Sequence, residues 1–320
     1  MPAQIRQAIA EAIPALHTRL TAQHITVKEQ LPLSAHTTFR IGGPAALAAF
    51  PEHAEQVRTV LSACREAGVP CALVGNGSNL LCPDEGFAGC VLFTTAMKTI
   101  TVDGTVITAG AGAALASVCC TARDAGLAGL SFAYGIPGTL GGAVCMNAGA
   151  YGGEIGDRIR SVTVLDADTG RIRTIPREDC AFAYRSSAFV DTHQIILEAV
   201  LSTEPGDPAA IRTEMEEITA KRREKQPLEY PSAGSAFKRY PGYFTAQLID
   251  EAGLKGYAVG GAQVSEKHAG FIINRGGATC EDVLTLIDAI RAKIRALHSI
   301  EIEPEIRCLS DCIVVCPAEE

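Results

Sequence analysis

Two stretches of this sequence carry residue types that can hold a dinucleotide-like ligand by its backbone. The first is "VGNGSNLL", Val74 to Leu81. Gly75 and Gly77 allow a turn where a side chain would clash. Asn76, Ser78 and Asn79 add short polar groups beside exposed amides. Such a loop after a strand can cradle a pyrophosphate, although the same residues also make an ordinary tight turn. The second is "GIPGTLGGAVCMNAGAYGGEIGD", Gly135 to Asp157, with eight glycines in 23 positions. Ile136, Leu140, Val144 and Met146 are interleaved among them, so this stretch should be packed. Packed glycine lets backbone approach a flat ligand closely.

Familiar nucleotide signatures are missing. "GAGAAL" at 110–115 has two spaced glycines, but Leu115 stands where a third small residue is needed, and no early strand–helix–strand unit follows. There is no G-x-x-x-x-G-K-[ST], which disfavours a P-loop kinase. A nucleotide site here needs another fold. Metal chemistry is not expected either. The 12 cysteines include no C-x-x-C; Cys119 and Cys120 are adjacent, and Cys308, Cys312 and Cys316 recur every four residues with no histidine nearby. They read as reduced, mostly buried thiols that behave as small hydrophobes.

The 320 residues are enough for two domains with their own cores. Hydrophobic residues make up 47 % and charged residues 20 %, an ordinary globular balance that disfavours dominant disorder. A net charge of −8 argues against a broad nucleic-acid surface, while leaving room for a local basic pocket. No run of 18 apolar residues suggests a membrane span. The first 25 residues lack an apolar core and carry Arg6, Glu11, His17 and Arg19, so no export signal and a cytoplasmic location are expected.

The elements that must position these loops follow from pattern. Residues 2–24 have helical spacing interrupted by Pro14 and read as one or two surface helices. A helix is expected at 53–67 with Gly68 as its stop, then a short buried strand at 71–75. Asp103-Gly104 predicts a hairpin, and a second hairpin turns at 168–170. A helix follows at 113–125, and Gly126 to Gly156 reads as one long functional loop. "STEPGDPA" at 202–209 is the linker, with Asp207-Pro208 opening a highly charged surface helix. Beyond it come helices at 243–252 and 280–297, strands near 257–264 and 269–274, and a final strand at 300–307. Thr279 and Asp282 make a capping box for the 280–297 helix.

Six blocks then stand in one order: "HTTFRIGGPA" (36–45), "VGNGSNLL" (74–81), the glycine stretch 135–157, "YRSSAF" (184–189), "PSAGSAFKR" (231–239) and "IEPEIR" (302–307). In this the chain resembles the MurB reductases over nearly everything beyond residue 25. The short spacing between Arg185 and the strand at 194–201 resembles the loop-less type II subclass. The resemblance implies an α+β fold, with an FAD-binding region of the vanillyl-alcohol-oxidase/PCMH type followed by a smaller α+β substrate-binding domain. The divisions expected are a helical segment 1–24, an FAD domain 25–203 and a substrate domain 204–320. It implies non-covalent FAD, NADPH as co-substrate, and reduction of UDP-N-acetylenolpyruvoylglucosamine to UDP-N-acetylmuramate in peptidoglycan precursor synthesis. Nothing in the sequence demands more than a monomer.

The resemblance also implies roles. Arg185, Ser235 and Glu305 match catalytic positions: Arg185 to stabilise charge developing on the substrate carboxylate, Ser235 to protonate C2, and Glu305 to donate a hydrogen bond if burial keeps it protonated. Pattern alone does not separate Glu303 from Glu305; the motif register favours Glu305. FAD contacts are expected from Arg40, Gly42, Gly75, Asn76, Gly77, Ser78, Asn79, Gly135, Ile136, Pro137, Gly138, Gly141, Gly142, Asn147 and Gly149. Substrate contacts are expected from Tyr184, Lys238, Arg239, Gln263 and His268. Tyr240 departs from the proline common at that place. Two rival readings stand beside this one: a PCMH-type flavin oxidase, and a sugar-nucleotide binder without catalysis.

Overall fold

The computed structural model describes residues 3–316; the termini of the expected divisions, at 1–2 and 317–320, lie outside them. The α+β class expected from the motifs is the one observed. Three sheets carry the fold. The first has the order Thr26–Pro32, Pro44–Phe50, Phe87–Phe93, Cys71–Val74, Ile313–Val315. Its three inner strands run parallel. Cys71–Val74 and Phe87–Phe93 are nearly continuous apolar runs because they are covered on both faces. Helix α1 (Ala3–Ala22) and helix α2 (Ala54–Glu66) pack on this sheet.

Helix α1 is continuous through Pro14, where an interruption was expected. Ile9, Ile13, Leu16 and Leu20 form a buried line that docks on the sheet. That burial outweighs the hydrogen bond that the proline removes. The same core brings Cys64, Cys71 and Cys90 together, with sulfurs within 4.8 Å of one another. Spacing gave no sign of this cluster, because its members come from one helix and two strands. Of the 12 thiols, six are buried, five are half-buried and Cys316 is exposed.

The second sheet is antiparallel, in the order Ile172–Pro176, Ile159–Asp166, Gln194–Ser202, Val106–Gly110, Ile100–Asp103. Both expected hairpins are there. Helix α3 (Leu115–Asp124) and helix α4 (Leu140–Cys145) pack with it. The stretch expected as one loop therefore contains α4, two short paired strands at Gly149–Ala150 and Gly153–Glu154, and 3-10 turns. Its interleaved apolar residues drive this order: Leu140 and Val144 are fully buried.

The third sheet, in the order Ser232–Ser235, Phe271–Asn274, Ala262–Val264, Ala258–Val259, is antiparallel. Helix α5 (Pro208–Lys225) precedes it, capped by Asp207. Helix α6 (Thr245–Glu251) and helix α7 (Cys280–His298) cover it. The capping box of α7 is formed by Thr279 and Asp282. Helix α5 is not only a surface helix: Ile211 and Met215 enter the core of the second sheet.

Chain order and core do not divide at 203/204. Helix α5 returns to the second sheet's core, and Ile313–Val315 completes the first sheet against Cys71–Val74. The strand expected at 300–307 is reduced to Arg307–Cys308. Residues 301–306 make a single bridge, Phe237 with Pro304, closed by the Lys238 amide donating to the Glu303 carbonyl and the Glu305 amide donating to the Ala236 carbonyl.

Candidate active site

The two glycine segments face each other across a cavity of about 570 Å³, within the range of small-molecule sites. Gly75 lies so close to Thr139 that a Cβ there would sit 2.5 Å from its Oγ1. Gly77 has φ +60° and passes over the His36 carbonyl, 2.3 Å from where a Cβ would be. Asn76 Nδ2 donates to the Pro137 carbonyl at 2.7 Å, which ties the two loops directly. Among the described residues, the backbone amides of Asn76, Gly77 and Ser78 donate to no protein acceptor, and all three residues line the cavity. Unpaired amides on a turn of this kind form an anion cradle. Gly138 and Gly142 also line the cavity, where a Cβ would meet only Ser78, Ile136 and Thr139 at 3.5–4.0 Å. These features fit an FAD pyrophosphate and its flat ring.

The three residues singled out for chemistry meet at this cavity. Ser235 ends the Ser232–Ser235 strand, opposite Phe271 and past a bulge at Gly234, φ +77°. One residue on, the Ala236 carbonyl accepts from the Glu305 amide at 2.8 Å. The segment carrying Glu305 is fixed to the first glycine loop as well: Asn79 Nδ2 donates to the Glu305 carbonyl at 3.0 Å, and Arg307–Cys308 pairs in parallel with Leu80–Leu81. Arg185 arrives from the second sheet's side. It occupies a tight turn, Ala183 to Ser186, at φ +53°, a conformation that strains a non-glycine residue and occurs at functional sites. Arg185 Nε donates to Glu305 Oε1 at 2.5 Å.

This pair is nearly dry, with side chains 19 % and 12 % exposed. Burial pushes the Glu305 carboxyl above its usual range, and Arg185 beside it pulls down without cancelling the effect. The same geometry separates Glu303 from Glu305. Glu303 is 72 % exposed and pairs with Lys238 at 3.2 Å, outside the cavity.

Of the expected FAD residues, Gly75 through Asn79, Ile136, Pro137, Gly138, Gly141, Gly142 and Gly149 line the cavity. Arg40, Gly42, Gly135 and Asn147 do not. Arg40 is exposed at φ +56°. Gly42 is required by packing, since a Cβ would fall 2.4 Å from Cys82 Cβ. Asn147 is 1 % exposed and fully engaged. Its Nδ2 donates to Glu154 and to the Ala183 carbonyl, and its Oδ1 accepts from the Gly156 amide. It anchors the turn that holds Arg185.

The expected substrate residues lie around the cavity rather than on its wall. Tyr184 stacks under Arg185, 5.1 Å from ring to guanidinium, and its hydroxyl accepts from the Arg239 amide. Arg239 lies over Phe244 at 5.2 Å. Gln263 is engaged by Gly256 and Arg275. His268 accepts from the Gly270 amide and packs edge-on to Phe271, and burial lowers its pKa. Gln263 and His268 thus support the sheet behind the site. Two residues that pattern missed, Arg222 and Gln226, do line the cavity. The missed signal was the place of Arg222 on the same helical line as Ile211, Met215 and Ile218, with Gln226 capping that helix.

Comparison with known proteins agrees with this geometry. Residues 45–175 match a family profile described as an FAD binding domain. Residues 226–309 match one described as the C-terminal domain of UDP-N-acetylenolpyruvoylglucosamine reductase. The chain is 49 % identical to the UDP-N-acetylenolpyruvoylglucosamine reductase of Heliobacterium modesticaldum, covering 88 % of this chain and 90 % of the relative. It is 47 % identical to that of Latilactobacillus sakei, over 90 % and 94 %. Among solved structures, the chain is similar to the UDP-N-acetylenolpyruvylglucosamine reductase (MurB) of Thermus caldophilus, with TM-score 0.76, 34 % identity, and coverage of 89 % and 99 %.

Proposed function

Because the chain belongs to the UDP-N-acetylenolpyruvoylglucosamine reductase family and is an FAD-dependent oxidoreductase, we propose that it reduces the enolpyruvyl ether of a UDP-N-acetylglucosamine substrate to the lactyl ether at the expense of NADPH. Bound FAD would supply the redox chemistry, with NADPH as the source of the hydride that C3 of the enolpyruvyl group gains. The residues do the rest. Amides of Asn76, Gly77 and Ser78 would hold the FAD pyrophosphate, and the backbone from Ile136 to Gly142 would receive the ring. Arg185 binds the substrate carboxylate and stabilises the negative charge that spreads onto it when C3 gains the hydride. Glu305, kept toward its neutral form by burial, donates a hydrogen bond to that same charge. Ser235 delivers the proton to C2 and recovers one from solvent. The sum is one hydride and one proton added across the double bond, with NADPH oxidised to NADP⁺.

The observation that carries this reading is the convergence of Ser235 and Glu305, on two backbones joined by a hydrogen bond, with Arg185 at the cavity that the glycine loops frame. Lys238, Arg239 and Tyr184, at the rim, suit the UDP pyrophosphate and sugar. We assign the enzyme to the cytoplasm, where precursor and NADPH are made available, and as a monomer; among the described residues no helix is long and apolar enough to cross a membrane.

Stopped-flow absorbance of Ser235→Ala tests the roles. NADPH added alone should bleach the flavin at near the wild-type rate. Recolouring by the enolpyruvyl substrate, without oxygen, should slow by several orders of magnitude, roughly 10²–10⁴-fold for loss of a positioned acid. Equal loss in both halves would make Ser235 structural. Recolouring of wild-type enzyme only on admitting oxygen would make the protein an oxidase, and absence of any flavin band would leave a binding protein.

A further inference from the structure

Helix α5 turns Ile211, Met215 and Ile218 inward, at steps of four and three that keep side chains in one line. The next step of four reaches Arg222 in the last turn, and Gln226 follows as the extended C-cap of the helix. An amphipathic helix packed on a core should carry apolar residues there. Instead both side chains line the cavity. Gln226 Oε1 is buried without a hydrogen-bond partner. The Arg222 guanidinium is half-buried, and among the described residues its side chain makes neither an ion pair nor a hydrogen bond; burial lowers its pKa. It rests on Gly135, where a Cβ would approach Arg222 Cδ to 2.9 Å and Nε to 3.2 Å. Gly135 is at φ +136°, so the glycine segment opens with a position that makes room for this arginine.

A half-buried cation without a protein partner at a cavity wall favours an anion brought into that cavity. A forked donor and a carbonyl acceptor one helical turn apart also complement an imide edge, which offers a C=O and an N–H side by side. Two ligands of the proposed reaction have such an edge: the pyrimidine ring of the flavin, and uracil. Only the flavin gains negative charge during turnover, shared between N1 and O2 when the ring is reduced. The position in the fold also favours it. The inward line of α5 joins the same core as α4 and the second glycine segment, whereas Ala233 and Ala236, flanking Ser235, belong to the core of the third sheet.

We propose that Arg222 and Gln226 hold the pyrimidine edge of the flavin, and that Arg222, by stabilising the charge of the reduced ring, sets the flavin potential. This rests on the FAD reading and deepens it. Arg222→Met keeps an apolar stem without charge, Arg222→Lys keeps charge without the fork, and Gln226→Leu removes the acceptor. Each is purified with FAD, its potential is measured by equilibration with a reference dye, and UDP affinity is titrated separately. A hydrogen bond to a charged group predicts that Arg222→Met shifts the reduced-to-oxidised ratio about 10–100-fold toward oxidised, which is a potential lower by about 30–60 mV for a two-electron couple. Arg222→Lys should recover part of that shift, and Gln226→Leu should weaken FAD binding with a smaller shift. UDP affinity should be unchanged in all three.

A wild-type potential in Arg222→Met with UDP affinity reduced tenfold or more would assign the pair to uracil and overturn the proposal. Wild-type values for both would reduce Arg222 to packing on Gly135. Should Arg222→Met fail to retain FAD, the lysine and leucine variants decide, since wild-type potentials in both overturn the proposal equally. Wild-type protein that carries no flavin would instead sink the cofactor reading before any variant is compared.

Discussion

Glu303 and Glu305 are two residues apart on one extended segment, and each faces a cation. Lys238–Glu303 lies in water, 38 % and 72 % exposed, at 3.2 Å. Arg185–Glu305 lies at the cavity, 19 % and 12 % exposed, at 2.5 Å. An exposed pair is screened and contributes little. In a dry pair each charge depends on the other, and removing one partner leaves an uncompensated charge. The two glutamates therefore have the same residue type and different chemistry. What separates them is backbone: Pro304 bridges to Phe237 between them, while Asn79 and Ala236 clamp Glu305 on both sides of its peptide.

The most damaging way to blur this contrast is to release the turn that brings Arg185 in. Asn147→Ala removes three hydrogen bonds at a buried site and leaves the Gly156 amide without a partner, while the Ala183 carbonyl keeps only the Ser186 amide. It also places alanine at φ +41°. A loss of about 2–3 kcal/mol in folding stability is expected, read as a lower urea midpoint at unchanged slope, together with a weakened substrate half-reaction. Full stability in this variant would mean that the Arg185 turn is held by something other than Asn147.

How much of the molecule is legible in its sequence follows the range of each interaction. The glycine loops, the two hairpins, the Asp207 cap and the Thr279–Asp282 capping box are readable because each is local: a turn or cap is fixed by residues within four positions. The proposed catalytic trio is readable only through its motifs. No local rule joins positions 185, 235 and 305, and the peptides that bring them together belong to three different segments. The misreadings have the same origin. Pro14 signals a break, yet α1 stays whole because a distant sheet buries its apolar line. The 300–307 strand is shortened because, beyond the bridge of Pro304 to Phe237, only Arg307–Cys308 finds a partner strand. Asn147 resembles a ligand contact because asparagine in a glycine loop is polar and small, whereas its partners, Glu154, Gly156 and Ala183, are supplied by the fold. Cys64, Cys71 and Cys90 are likewise gathered by tertiary packing alone.

A second way to sharpen the contrast is pH. Burial raises the Glu305 pKa above the usual value of 4.5. Its neutral form is thus favoured by folding. This contribution to stability is fully present below the unfolded value and is lost as pH rises through the raised one. Glu305→Gln cannot titrate, while its amide oxygen can still accept from Arg185. Urea midpoints followed from about pH 4 upward should therefore fall for the wild type relative to this variant, and the difference should stop growing once Glu305 is ionised. Parallel curves would mean that Glu305 is ionised throughout and acts only as a counter-charge to Arg185.

The smallest expected effect is at the other glutamate. Glu303→Gln breaks an ion pair that water already screens, so stability should change by no more than about 0.5 kcal/mol. The substrate half-reaction should proceed at an unchanged rate, because the Glu303 side chain stands outside the cavity. The backbone should hold as well, since the Lys238 amide bonds the Glu303 carbonyl, which the substitution leaves in place. A hundredfold slowing would reverse the assignment of the two carboxylates. It would mean that the segment shifts by two residues when substrate binds, exchanging which glutamate faces Arg185.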